Sequence, residues 1–234
     1  EAVIKASGIT PGQSIWSVNK KAASKKILES FPYYDTVTIS NSGYSTIEIK
    51  VTEVQPLCTI YDGTDWMVVG INGKGLEKMP VESDRPFRHL YVKGAKPIST
   101  QLGEKVLDDQ TMEIITELTQ AFSQHTLDNV CIIDVTNIND IQLNWNNQIT
   151  VKMGNPSNLT HQVSVVVSAL PGIQSRYGDT AAGRLDVSSY SQKGGTSRAI
   201  FTPQSLLADS TTTGSTTAGS TTSTWATATT TSGG

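Results

Sequence analysis

The residue types that most often carry out chemistry are few in this sequence, and they are widely spaced. The three histidines are His89, His125 and His161. A zinc peptidase would place two histidines in an H-E-x-x-H motif, and an α/β-hydrolase would place its serine in G-x-S-x-G. Neither motif occurs in the chain. We therefore interpret the histidines as ordinary surface residues.

The two cysteines lie in apolar segments that resemble strands. Cys58 is part of "PLCTIYD" and Cys131 is part of "DNVCIIDV". A small buried hydrophobic residue is the favoured interpretation of each, and a disulfide between them is the alternative. Without a nearby histidine, two cysteines do not make a zinc site.

The acidic residues and the glycines favour turns over catalysis. Asp62, Asp65, Asp108 and Asp109 stand near turns or a helix start, where aspartate accepts hydrogen bonds from backbone N–H groups. A carboxylate pair for acid–base chemistry is the less favoured alternative. The segment "GINGKG" lacks the spacing of a phosphate-binding loop and the Lys-Ser/Thr that would follow. We predict that the chain is not an enzyme, with no catalytic residue, cofactor or metal.

The composition argues against a nucleic-acid-binding protein and against a membrane span within this chain. The chain has 234 residues, a net charge of −3 and a pI of about 5.6, which argues against binding of nucleic acid. No run approaches eighteen apolar residues, so no membrane span is predicted. The chain opens on Glu1 in a strand-like segment, without a signal peptide, and we expect it to be part of a longer protein.

The first 55 residues predict one small α+β unit. The pattern favours a strand at 2–6, a helix from Ser14, and a second helix that Asn19 caps and Phe31-Pro32 ends. A hairpin with period-two alternation follows at 36–52. The order is β-α-α-β-β, and Pro56 marks the predicted boundary. We expect a common core of Ile27, Phe31, Val37, Ile47 and Ile49.

The remaining chain predicts a larger mixed sheet with packed helices, over residues 56–205. Short strands follow one another from residue 57, a helix interrupts them at about 109–127, and strands are expected at 184–190 and 197–202. The segment at 161–170 has consecutive valines that favour a strand, but its i, i+3, i+4, i+7 spacing favours a helix, which we predict. Residues 206–234 are rich in Thr and Ser, and we expect them to be disordered.

This order of elements resembles the extracellular part of the FtsQ/DivIB family of bacterial division proteins, over about residues 1–204. The first part, "SGITPGQSIWSVN" with "FPYYDTVTI" and "TIEIKVTE", is similar to the POTRA domain of that family. The segments "DWMVVGINGKGLEKM", "LYVKGAKP" and "GRLDVSSYSQKGGTSRAIFTP" resemble its β domain. The resemblance implies a non-enzymatic scaffold of the divisome that binds FtsL and FtsB/DivIC and helps control septal peptidoglycan synthesis. It also implies a single-pass protein of the cell membrane, whose transmembrane helix this chain lacks.

The resemblance places partner capture at the last strand of the β domain. We therefore expect an edge strand at about Ser197–Thr202, with its unpaired backbone groups open to a partner strand. The predicted partner-binding residues are Tyr190, Arg198, Ala199, Ile200, Phe201 and Thr202. Phe201 is the expected aromatic anchor and Arg198 the expected charge contact, while a plain core role for Phe201 is the alternative.

Two further alternatives stay open at the level of the sequence. The chain could be a secreted cell-wall-modifying enzyme with a POTRA-like first domain, or a POTRA-bearing transport or chaperone subunit. The lysines of the first helices could form a solvated face, which is favoured, or could face an anionic membrane surface.

Overall fold

The structure is a computed structural model that describes residues 1–82, 90–189, 196–209 and 227–229, and it has an α+β fold with a large mixed sheet. The helices are α1 (Ala2–Ser7), α2 (Lys20–Ser30), α3 (Asp109–His125), α4 (Leu159–Tyr177) and α5 (Gln204–Asp209). The strands are β1 (Tyr34–Ser42), β2 (Thr46–Glu53), β3 (Pro56–Tyr61), β4 (Asp65–Gly70), β5 (Gly75–Pro80), β6 (Leu90–Lys93), β7 (Val130–Asp134), β8 (Ile141–Trp145), β9 (Ile149–Gly154), β10 (Gly183–Asp186), β11 (Thr196–Arg198), β12 (Ile200–Pro203) and β13 (Thr227–Thr229).

The chain forms two compact units. Unit 1 comprises Glu1–His89 and Lys96–Asp108, and unit 2 comprises Leu90–Ala95 and Asp109–Gly234. The division into units therefore does not fall at the predicted boundary of 55/56. The reason is a small core within unit 1, in which Val54 packs with Val68 and Leu76.

The first segment corrects one expectation, because residues 2–7 form the helix α1 and not a strand. Alanine and lysine are good helix formers, and Gly8 closes the helix in a left-handed conformation with its N–H bonded to the Lys5 carbonyl at 3.3 Å. The helix packs against α2. The described elements of the N-terminal region are therefore α-α-β-β, and its sheet has the two strands β1 and β2.

The second helix begins where the sequence predicted. The Asn19 side chain accepts a hydrogen bond of 3.0 Å from the Ala22 N–H, and α2 ends at Ser30, before Phe31. The predicted helix at Ser14 is instead a turn, closed by the bond from the Ser17 N–H to the Ser14 carbonyl at 3.0 Å.

The core of the N-terminal region is smaller than predicted. Ala23 and Ile27 are buried on the face of α2 that packs on β1. Phe31, Val37, Ile47 and Ile49 are only half-buried. The sheet has two strands and not the expected three, because residues 2–7 form the helix α1. The side chains of β1 and β2 therefore lack a third neighbouring strand and stay partly exposed.

The rest of unit 1 is an antiparallel meander of β3, β4 and β5. The N-terminal region is tied to it by polar contacts as well as by the Val54 core. The Tyr33 hydroxyl donates to Glu77 at 2.8 Å, and the Asn72 amide donates to Asp35 at 2.7 Å. These bonds link the β1 end of the hairpin to the meander.

Within unit 2, six strands lie side by side in the order β12-β10-β9-β8-β7-β6. The β6/β7 and β9/β10 pairs are parallel, and the other three pairs are antiparallel. The register aligns one buried side chain from each strand in a row across the sheet. The row consists of Val92, Ile133, Leu143, Val151, Leu185 and Phe201.

The two long helices of unit 2 pack against each other. Helix α3 confirms the prediction for 109–127 and ends at His125. Helix α4 confirms the helical interpretation of 161–170 and continues to Tyr177. The Gln162 amide of α4 donates to the Met153 carbonyl at 2.8 Å, which fixes α4 on the strand β9.

The predicted last strands are shorter than expected. The strand expected at 184–190 is β10, which ends at Asp186. The strand expected at 197–202 is divided at Ala199 into β11 and β12. Residues 206–209, expected to begin the tail, belong to α5. Thr227–Thr229 pair with β11, and the other residues of 210–234 lie outside the described residues.

Candidate partner-binding edge

The strand β12 forms the outer edge of the strand order in unit 2. Among the described strands it pairs only with β10, in antiparallel register from Asp186↔Ile200 to Gly183↔Pro203. The predicted site residues Ile200, Phe201 and Thr202 lie on it, and Ala199 directly precedes it. The edge strand expected at Ser197–Thr202 therefore overlaps β12 over Ile200–Thr202, and partner binding at these residues stays a prediction.

Two predicted site residues are not part of this edge. Arg198 lies on β11, where its register partner is Thr227 of β13. Tyr190 lies outside the described residues. The structure therefore brings together four of the six predicted residues, all within Ala199–Thr202.

The register identifies which backbone groups of β12 point away from the sheet. The Gln204 N–H donates to the Ala182 carbonyl at 2.9 Å, so these opposite residues form a hydrogen-bonded pair. In antiparallel strands hydrogen-bonded and non-hydrogen-bonded pairs alternate. Ile200 and Thr202 consequently direct their N–H and C=O groups towards β10. Phe201 directs its own N–H and C=O groups to the open side.

The side chain of Phe201 does not serve as an exposed anchor. It is 8% exposed, and its ring centroid lies 5.2 Å from that of Tyr177 at the end of α4. The cause is the register, since Phe201 completes the buried row and faces the helices. Only the backbone of this residue is open to a partner.

The opposite face of β12 carries Ile200 and Thr202, both half-buried. Their register partners on β10 are Asp186 and Arg184, and further polar side chains continue the two rows on β9. Asp186 accepts hydrogen bonds from the N–H and hydroxyl of Ser188, at 2.9 and 2.6 Å. A partner strand that adds to β12 would therefore meet an aliphatic side chain beside a polar surface.

Gly183 holds β12 close to β10. A β-carbon at Gly183 would lie 2.3 Å from the Thr202 carbonyl oxygen and 3.0 Å from the Phe201 ring. Two non-bonded heavy atoms in van der Waals contact are about 3.5 Å or more apart, so a side chain at this position would collide with the edge strand. Glycine at this position is thus what permits the close approach of the edge strand.

The two cysteines and the possible metal ligands give no sign of a reactive site in the described residues. The thiol of Cys58 is buried, which raises its pKa to about 12, and Cys131 is partly exposed. Both are free, as the favoured interpretation predicted, although Cys131 is not fully buried. The described residues contain no group of three or more histidine, cysteine or acidic side chains that could hold a metal ion.

Two aspartates have pKa values below their usual range. Burial would raise the pKa of Asp134, but the Lys93 ammonium at 2.8 Å and the hydrogen bonds of Thr136 lower it. The same ion pair raises the pKa of Lys93. Asp62, described below, is the second case. Both are ion pairs at a strand end or a turn, and neither aspartate belongs to β12 or is one of its register partners.

Comparison with known proteins supports the resemblance. Residues 1–53 match the family model of the POTRA domain, FtsQ-type. No curated protein matches the chain. The match supports recognition of the chain as an FtsQ/DivIB-family protein, and the α+β fold agrees with it. The family of this domain model comprises non-enzymatic division proteins. Among the described residues no helix is both long and apolar enough to cross a bilayer.

Proposed function

We propose that the chain is a non-enzymatic scaffold of the bacterial divisome, which binds FtsL-like and FtsB/DivIC-like proteins and so helps control septal peptidoglycan synthesis. In this proposal residues 1–55 are the POTRA domain and residues 56–205 the β domain that captures the partner. The whole protein is a single-pass membrane protein with this part on the extracellular side. The FtsQ-type match of residues 1–53 supports the division-related role.

The observation that carries partner capture is the edge position of β12. Strand addition needs an edge whose outward N–H and C=O groups are unpaired within the sheet, and it takes its specificity from side chains at alternate positions. Phe201 supplies the outward backbone groups, and Ile200 and Thr202 supply the side chains on the polar face. Arg198 and Tyr190 remain proposed contacts at the margin of this edge.

The sharpest test compares two isoleucines on the same face of unit 2. Ile200 lies on the edge strand, and Ile132 lies on β7, in the interior of the strand order; both are half-buried. We expect Ile200→Asp to weaken binding of an FtsB/DivIC-like partner roughly ten-fold or more, because a charge would be desolvated at the interface. Ile132→Asp should leave the affinity unchanged. Titration calorimetry with the purified partner segment measures both.

The backbone supplies a second test. The alternation of pairs places the Ala199 N–H on the open side of the edge and the Ile200 N–H on the side of β10. Ala199→Pro should therefore reduce partner binding while β12 stays paired, whereas Ile200→Pro should detach β12 itself. Amide exchange of β10 residues distinguishes the two effects. Full binding by a folded Ala199→Pro variant and by Ile200→Asp would exclude β12 as the docking edge.

A further inference from the structure

A second surface lies in the N-terminal region, far along the chain from β12. An open apolar cavity of about 200 Å³ is bounded by α1, the loop at 9–15 and the strand β2. Its aliphatic lining is Ile4, Ile9, Ile15, Ile47 and Ile49. Five isoleucines at one open cavity make an unusually apolar site for a protein surface.

Three large apolar side chains are exposed at or beside this cavity. Ile4 lines it and is 53% exposed. Trp16 follows the lining residue Ile15 and is 85% exposed, and Tyr44 precedes the lining residue Ser45 and is fully exposed. Tryptophan and tyrosine are the residues that favour the boundary between water and lipid, because each joins an apolar ring to a polar group.

The adjacent helix is strongly basic. Helix α2 contains four lysines, Lys20, Lys21, Lys25 and Lys26, and one acidic residue, Glu29. Since Ala23 and Ile27 face the sheet, Lys21 and Lys25 lie on the opposite face of the helix. The Lys26 ammonium lies only 3.5 Å from the position that a β-carbon of Gly8 would take, and Gly8 leads directly into the loop of the cavity.

A surface that combines basic and apolar side chains is suited to bind an anionic lipid bilayer. We propose that this surface, formed by Ile4, the loop at 9–16 and the lysines of α2, docks on a bilayer that contains anionic phospholipid. The isoleucines and Trp16 enter the interfacial layer, and the lysines contact the lipid phosphates. The charge argues for this partner, because a chain with net charge −3 concentrates four lysines within seven residues. An apolar peptide in the cavity would need none of them.

This proposal is independent of the proposed partner capture, since it uses only unit 1. The test is co-sedimentation of the full chain with vesicles of phosphatidylcholine, with or without an equal amount of phosphatidylglycerol. We expect binding to the anionic vesicles that weakens as salt is added. Removal of two charges by Lys21→Gln with Lys26→Gln should weaken it roughly 25-fold, because each lysine near an anionic surface contributes roughly five-fold.

The aromatic contribution is tested separately, with matched controls. Trp16→Ala should weaken vesicle binding roughly ten-fold, through loss of buried apolar area. Ile98→Ala and Lys96→Gln change an exposed apolar and an exposed basic residue elsewhere in unit 1, and should have no effect. Circular dichroism confirms that each variant is folded.

The proposal would be overturned if the chain does not bind anionic vesicles at low salt. It would also be overturned if the chain binds vesicles of phosphatidylcholine alone equally well, or if the control variants weaken binding as much as the test variants do. A further contrary result is that soluble polyphosphate displaces the chain from the vesicles while the Trp16→Ala variant binds them as well as the wild type does. That result would identify a site for polyanions in place of a lipid-binding surface.

Discussion

At the scale of single residues, Asp62 was predicted to occupy a turn, and in the structure its carboxylate stabilises that turn. Its side chain is 2% exposed and accepts hydrogen bonds from the Thr64 and Asp65 N–H groups at 2.9 and 2.8 Å. The Lys78 ammonium lies 2.8 Å from its second oxygen. Burial alone would raise the pKa of Asp62, but the backbone bonds and Lys78 hold it below the usual range.

Replacement of Asp62 should therefore destabilise unit 1. We expect Asp62→Ala to lower the free energy of unfolding at neutral pH by about 2–3 kcal/mol, because it leaves two backbone donors and an ammonium without their acceptor. Urea denaturation measures this loss. Asp128→Ala, which removes an exposed aspartate, is the control and should change the free energy by less than about 0.5 kcal/mol.

The effect of Asp62 should also depend on pH in one direction. Its pKa is lower in the folded state than in the unfolded chain, where it is about 3.9. The stability it contributes is therefore complete above that value and is lost as the pH falls through the folded-state pKa. The difference between the wild type and Asp62→Ala should shrink in acid. A constant difference down to about pH 2 would show that the carboxylate charge is not the cause.

At the scale of elements, α2 and β2 contribute unequally to the N-terminal core. Ile27 is completely buried on α2, whereas Ile49 on β2 is half-buried at the apolar cavity. We expect Ile27→Ala to reduce the free energy of unfolding by about 2–5 kcal/mol, as large-to-small changes in a closed core do. Ile49→Ala should cost about 1 kcal/mol, since it already contacts solvent.

The comparison of these two variants tests the two-stranded sheet. Guanidinium denaturation of both variants, under the same conditions, measures the difference. An equal loss for Ile49→Ala would mean that another element covers β2 in solution. That result would favour the originally expected strand at residues 2–6 over the helix α1.

At the scale of the whole molecule, the described part of the C-terminal segment adds little to the fold. Among the residues whose burial the structure describes, the buried ones lie before residue 202, and β13 contributes a three-residue pairing with β11. An isolated two-stranded ladder of that length is at best marginally stable. Deletion of residues 210–234 retains α5 and should change the melting temperature by less than about 1 °C. A decrease of about 4 °C or more in differential scanning calorimetry would show that the pairing of β11 with β13 stabilises the fold.

The sequence by itself determined the elements whose signals are local. Asn19 identified the start of α2, the i, i+3, i+4 spacing of valines identified α4, and alternation identified the β1–β2 hairpin. These patterns are reliable because a cap or a buried stripe depends on neighbours within a few residues. The resemblance to the FtsQ/DivIB family also came from local order, and the POTRA match of residues 1–53 agrees with it.

The tertiary structure decided what the local pattern leaves undetermined. Residues 2–7 have side chains that suit a strand or a helix, so the outcome depended on packing against α2. The direction of Phe201 depended on the register with β10, since a strand pattern shows which residues share a face but not which face the helices cover. Contacts between distant residues, such as Asp62 with Lys78 and Val54 with Leu76, are likewise invisible to periodicity. The edge position of β12 was expected from the family resemblance and not from periodicity, and in the structure it follows from the strand order, in which β10 is its only neighbour among the described strands.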